Sequence, residues 1–165
     1  MANHIGIDNG LDGGITVLNE EGSIIHKCVM PVIKLGKGRQ VDILEMDRII
    51  NAFSPCSCIL EPAQKHSPGI LALCSTWFSY GIITSVLTLG KTRFSLVNPQ
   101  AWQKMFWVRP KMAKGQKFDT KAAALNAANK LWPSEDWTKS ERASKPHDGM
   151  VDAALIAEYG RRLNL

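Results

Sequence analysis

An α/β domain built on a mixed five-stranded sheet, with helices packed on both faces, is what the sequence predicts. Three observations carry that expectation. Two tight turns fall within the first 30 residues and imply three antiparallel strands in sequence order. Helical and strand-like segments then alternate, as parallel crossovers require. A length of 165 residues, 45% apolar and 21% charged, suits a single globular domain over residues 1–165.

The elements follow in order. Residues 5–8 of "HIGIDNGLDGGITVL" read as a strand that stops on Asp8, and residues 13–19 as a second, reached through a glycine-rich turn. Residues 23–30 form a third after Glu20-Glu21-Gly22, and Pro31 ends it. Val41, Leu44, Ile49, Ile50 and Phe53 lie at helical spacing, so a helix is expected over 41–53. "CSCILEP" returns to strand character and stops at Glu61-Pro62. A long apolar helix runs from near residue 67 to Gly90, a natural stop. The six Ser and Thr residues between Gly69 and Leu89 argue for a buried or interface helix and against a membrane span. "TRFSLVNP" is the fifth strand, and Asn98-Pro99 launches "PQAWQKMF" as a short helix. Asp119 suits the N-cap of "TKAAALNAANKLW", and a polar segment over 133–146 leads to a last helix over 147–163.

The N-terminal Met1-Ala2-Asn3-His4 has no basic or apolar leader pattern, so a cytoplasmic protein is expected. Cys28, Cys56, Cys58 and Cys74 all sit in apolar segments and read as buried free thiols in a reducing compartment. No matching second pair of ligands suggests zinc.

The net charge of +5 is unevenly distributed. Residues 1–100 balance eight bases against eight acids, whereas residues 101–165 hold twelve bases and seven acids. Lys104, Arg109, Lys111, Lys114, Lys117 and Lys121 crowd one stretch beside Trp102, Phe106 and Trp107. A basic segment with aromatic residues suits a phosphate backbone, with Phe106 and Trp107 as stacking candidates and Trp102 as packing. Trp77, Phe78 and Tyr80 read as core or dimer interface.

Four acids stand where a core has no use for them. Asp8 ends the first strand, Glu61 ends the fourth, and Asp148 and Asp152 open the last helix, about 40° apart around its axis. Taken singly, Asp8 also fits a turn start, Glu61 a surface acid and Asp148 a helix N-terminal acid. Asp152 is flanked by Val151, Ala153, Ala154 and Leu155, which disfavours a purely solvated role. Were the first and fourth strands neighbours, Asp8 and Glu61 would meet at one end of the sheet facing that helix. Clustered carboxylates repel one another, and hard oxygen donors of this kind suit Mg²⁺ or Mn²⁺, two per site, in phosphodiester hydrolysis.

The motifs "IGIDNGLDGGITVL", "CILEP", "GIITSVLTLGKTRFSLVNPQAWQKMF" and "HDGMVDAALIAEYGRR" occur in the order and spacing of one family. Through them nearly the whole chain resembles the RuvC-like Holliday junction resolvases of the ribonuclease H superfamily, especially short phage-type members. The resemblance implies a ribonuclease H-like fold and a homodimer acting on four-way junction DNA in the cytoplasm, the host's for a phage-encoded member. It implies metal-dependent paired nicks that leave 5′-phosphate and 3′-hydroxyl ends. Asp8, Glu61 and Asp152 match the family's metal ligands, and Asp148 matches the penultimate acid. Bacterial relatives carry that acid, or a histidine, three residues before the last Asp, where this chain has Gly149, so His147 is held in reserve. The aromatic that bacterial relatives use for junction opening has no counterpart in "EPAQKHSPG", where Lys65 and His66 are phosphate-contact candidates.

Two other readings remain. The turn "DNGLDGG" also resembles a sugar-kinase or actin-like phosphate loop, but such proteins need a second domain and loop, so no nucleotide cofactor is expected. A ribonuclease H-like nuclease acting on other branched DNA or on RNA would use the same acids.

Overall fold

The computed structural model describes residues 2–36, 38–64, 69–113 and 115–165. β1 (Asn3–Asp8), β2 (Gly14–Leu18) and β3 (Ile24–Val29) form an antiparallel meander. β4 (Val32–Leu35) and β5 (Gly38–Val41) make a separate hairpin, followed by α1 (Ile43–Ala52). β6 (Cys56–Leu60), α2 (Ile70–Leu89) and β7 (Arg93–Leu96) add two parallel strands, and α3 (Pro99–Phe106), α4 (Thr120–Leu131) and α5 (Asp148–Leu163) complete the fold. The main sheet has the order β3-β2-β1-β6-β7, the mixed five-stranded arrangement expected from the sequence.

Strand alternation sorts the two layers. Ile5, Ile7, Ile15, Val17, Cys58 and Leu60 face α1 and α2, where they pack with Met46, Ile49, Ile50, Ile83 and Leu87. The opposite face carries Ile59 and Leu18 against α3, α4 and α5, with Trp102, Ala128, Trp137, Leu155 and Ile156. α5 approaches the sheet at backbone distance. A Cβ on Gly6 would lie 1.9 Å from the Ala153 carbonyl oxygen, and one on Gly149 would lie 2.6 Å from Gly13 Cα. Side chains at these glycines would push the helix away, so they set how deeply α5 sits.

The hairpin over residues 32–41 is a departure from the sequence expectation. Val41 belongs to a buried strand end and not to the helix, because Asp42 caps α1 by accepting from Leu44 N and Glu45 N, both at 3.1 Å. The long helix also differs from the buried alternative: Ser79, Ile83, Val86 and Leu87 are buried, while Ile70, Leu71, Trp77, Phe78 and Leu89 face outward and Tyr80 is partly covered. It is long and apolar enough to cross a bilayer by length and composition, yet it packs on β5, β7 and α1. All four cysteines are free, but only Cys58 is buried; Cys28 and Cys56 are partly covered, and Cys74 lies exposed on α2.

The polar segment before α5 is better anchored than its composition suggests. Trp137 is buried and donates its indole N–H to Asn129 Oδ1 at 3.0 Å. Its carbonyl accepts from His147 N at 2.7 Å, which fixes the entry to α5.

Candidate active site

The acids converge because of register. β1 and β6 are parallel neighbours with Ile7 opposite Leu60, and Asp8 and Glu61 are the next residue on each chain. By alternation each shares a face with its second-preceding residue, Gly6 or Ile59, and that face is covered by α5. Asp152 lies one turn into α5 and Asp148 at its first position.

Burial dominates the electrostatics. Asp8 is pushed well above the ordinary carboxylate range by burial first, then by the neighbouring charges of Asp152, Glu61 and Asp148. Asp152 is pushed up to about 7 by burial, with Glu61 and Asp148 adding to the rise and Lys121 opposing it. Burial also raises Glu61, whereas the Trp102 indole N–H, which donates to Glu61 Oε1, lowers it. Burial and the crowding of acids therefore both favour the protonated forms of Asp8 and Asp152.

Two acids are engaged by protein partners. Glu61 is held by Trp102, a buried residue of α3, and Asp148 is paired with Lys121 from the first turn of α4. In this arrangement no three acidic, histidine or cysteine side chains among the described residues gather closely enough to ligate one ion. The donor set still fits hard divalent cations: three carboxylates on three elements meet at one sheet end, and Asp8 and Asp152 are each raised by burial first and by neighbouring acids second. His147 is committed elsewhere, as the α5 N-cap whose Nδ1 accepts from Met150 N at 3.4 Å.

Gly149 explains the spacing of the helical acids. Its position, three residues before Asp152, is pressed against the backbone of Gly13 and Gly14, leaving no room for any side chain. An acid on this helix turn must stand at Asp148.

The basic candidates divide into distinct settings. Lys104 and Arg109 line a cleft of about 380 Å³ with Gln100, Gln103, Trp107 and Val108. The Arg109 guanidinium donates to Gln103 Oε1 at 2.6 Å and lies 5.9 Å from the Phe118 ring centre. Lys111 and Lys117 are exposed in irregular chain, while Lys65, His66 and Lys114 lie outside the described residues. Phe106 and Trp107 are part-buried against the core and not free platforms: Trp107 meets Trp102 edge-on at 5.5 Å, and Arg162 covers Phe106 at 5.4 Å.

Sequence reasoning missed the partners of the acids. Trp102 reads as packing, and Lys121 as one more charge in a basic run. The position of Trp102 three residues into a Pro-initiated helix beside the fifth strand is the available signal for the first. No spacing rule signals the second, since Lys121 and Asp148 are brought together only by the packing of α4 beside α5.

No protein-family model and no curated protein sequence matches the chain. Among solved structures it is similar to Thermus thermophilus RuvC in complex with a Holliday junction substrate, with a TM-score of 0.65 and 13% identity. The alignment covers 98% of this chain and 96% of that one. A second Thermus thermophilus RuvC structure aligns over the same shares at a TM-score of 0.63 and 13% identity. The fold is thus RuvC-like, a ribonuclease H-like arrangement that sets Asp8, Glu61 and Asp152 at one end of its central sheet.

Proposed function

We propose that this chain is a structure-selective, divalent-cation-dependent endodeoxyribonuclease that resolves four-way DNA junctions by paired symmetric nicks, leaving 5′-phosphate and 3′-hydroxyl ends. The observation that carries the reading is the meeting of Asp8, Glu61 and Asp152, from two adjacent strands and the last helix, at one end of the sheet under α5. The junction-bound RuvC structure with the same fold supports four-way DNA as the substrate.

Asp8, Glu61 and Asp152 would hold Mg²⁺ or Mn²⁺, two per site, with Asp148 completing the set once Lys121 lets go. The cations would supply Lewis acidity towards the scissile phosphate and lower the pKa of the attacking water. Within the chain, β1 and β6 fix Asp8 and Glu61 against each other, and the Trp102 N–H orients the Glu61 carboxylate. Lys121 keeps Asp148 compensated while no cation is bound. Lys104, Arg109, Lys111, Lys114, Lys117 and Lys65 would neutralise backbone phosphates.

Paired nicks call for two sites. The outward apolar face of α2, with Trp77 and Phe78 beside the exposed Ile43 of α1, supports a homodimer. Sedimentation at micromolar concentration is expected to give twice the 18.2 kDa chain mass, and Phe78→Glu to give the monomer.

The test of the activity is a nicking assay with Mg²⁺ on labelled four-way, three-way, duplex and RNA-containing substrates. Symmetric nicks confined to four-way junctions are expected. Equal cutting of RNA hybrids or of other branched DNA would move the function to a different nuclease of the same fold.

A further inference from the structure

The hairpin that lies outside the main sheet leans over the acidic end of the fold. Its root is tied to the turn that follows Asp8, because Met30 N donates to the Gly13 carbonyl at 2.9 Å, and the hairpin's two ends are closed by Asp42 N donating to the Pro31 carbonyl at 2.9 Å. From β5, Arg39 reaches a cleft of about 320 Å³ whose walls include Asp8, Asn9, Asp12, Ser75 and Thr76. Lys34 is the cross-strand partner of Arg39, so the two cations project from the same face of the hairpin.

Like charges placed directly opposite each other in an antiparallel pair disfavour the hairpin. Asp12 offsets this only in part: it accepts from Arg39 Nη1 and Nη2 at 3.2 Å each, but its side chain is 84% exposed, and pairs so open to water add little stability. Lys34 has no carboxylate partner among the described residues. The same cleft holds an unanswered acceptor. Asn9 Oδ1 is buried without a donor among the described residues, while its Nδ2 reaches the Thr76 carbonyl at 3.5 Å. Buried acceptors are normally paired, so this wall awaits a hydrogen-bond donor from outside.

The geometry points to a nucleotide-binding subsite beside the acids, in which Lys34 and Arg39 form a fork for a backbone phosphate next to the scissile one. This rests on the reading of the acids as a DNA-cutting site, and it adds the hairpin to the DNA-binding surface. Asp12 holds the guanidinium at the rim until a phosphate takes its place. Asn9 accepts from the nucleotide's base or from the water around it.

Junction binding in EDTA and single-turnover nicking in Mg²⁺ test the fork. Arg39→Ala and Lys34→Ala are each expected to weaken four-way junction binding about five- to tenfold. Each should also lower the slope of log Kd against log salt by about 0.9, the loss of one phosphate contact. Asp12→Asn frees the guanidinium and should tighten binding two- to threefold, a gain that disappears in the Asp12→Asn, Arg39→Ala double variant. Junctions carrying a neutral methylphosphonate at one of the three phosphates on either side of the mapped nick identify the contact. At one of these positions the wild type should lose what Arg39→Ala has already lost. Arg39 is exposed, so its variant should melt with the wild type. If the wild type binds and nicks junctions while Arg39→Ala keeps its affinity and salt slope, or if every methylphosphonate adds independently to Arg39→Ala, the fork is overturned and the nuclease reading stands. A wild type that neither binds nor nicks any branched DNA overturns that reading, and the fork with it.

Discussion

Trp102 donates its indole N–H to Glu61 Oε1, joining a buried aromatic of α3 to the acid at the end of β6. The bond ties up one of the two carboxylate oxygens and holds Glu61 below the value that burial alone would give it. Trp102→Phe keeps a ring in the core and removes the donor. Glu61 should then hold its proton to higher pH, so the acid limb of the single-turnover nicking profile moves upward while junction binding in EDTA stays within twofold. An unmoved limb would show that Glu61 does not govern it.

Asp152 supplies a pH-dependent stability test. A folded chain keeps the Asp152 proton up to about pH 7, whereas an unfolded one releases it near the ordinary aspartate value of 3.8. The folded state binds more protons between these values, so this group's contribution to stability falls as pH rises from about 4 to about 7. Asp152→Asn removes the penalty. Without divalent cation its Tm should exceed the wild type's by about 3 °C or more at pH 8, with the gap closing towards pH 4. Added Mg²⁺ should raise the wild-type Tm more than the variant's.

The acids should separate cutting from binding. Asp8→Asn, Glu61→Gln and Asp152→Asn are each expected to lower the nicking rate at least 10³-fold, roughly the 4 kcal/mol associated with loss of a main electrostatic group. Junction affinity should hold or improve, since a charge that repels phosphate has gone. Near-wild-type cutting by any one of them would remove that residue from the site.

Gly149→Ala changes no acid and should still disable the site. The added methyl would lie 2.5 Å from the Gly13 carbonyl carbon, a collision of backbones that no rotamer relieves. Displacement of α5 should cost about 3 kcal/mol or more, roughly 6–12 °C in Tm for a chain of this size, with loss of nicking measured below the new melting point.

The basic segment between α3 and α4 should act through salt. Replacing Lys111, Lys114 and Lys117 together by Gln is expected to weaken binding to all junction sequences alike. The salt slope should flatten by up to about 2.7 if all three meet phosphate. Filter binding between about 50 and 200 mM salt reads both effects, and an unchanged slope would take the segment off the interface.

The positions of Asp8, Glu61 and Asp152 were legible because strand alternation and the helical period are local rules: Asp8 and Glu61 close apolar strands, and Asp152 interrupts an apolar helical run. The five-stranded sheet followed from the same punctuation. The β4–β5 hairpin was not legible, since its strands are four residues each and Lys34 and Arg39 dilute their apolar alternation. Val41, apolar and at helical spacing, drew the helix two residues too early. The exposure of Cys74, Trp77 and Phe78 was hidden for another reason. α2 is apolar on all sides, so its sequence does not say which side the sheet will cover. The ties from Trp102 to Glu61 and from Lys121 to Asp148 depend on helices that meet only after folding.

The close seating of α5 on β1 has a consequence for synthesis. Asp8 and Glu61 leave the ribosome early, but Asp152 arrives with the helix that covers them, near the other end of the reading order. A nascent chain that has reached only Trp137 carries two acids and the basic segment, but not the third acid or the helix that encloses them. On the proposed function, the cutting site would be incomplete until α5 has been made.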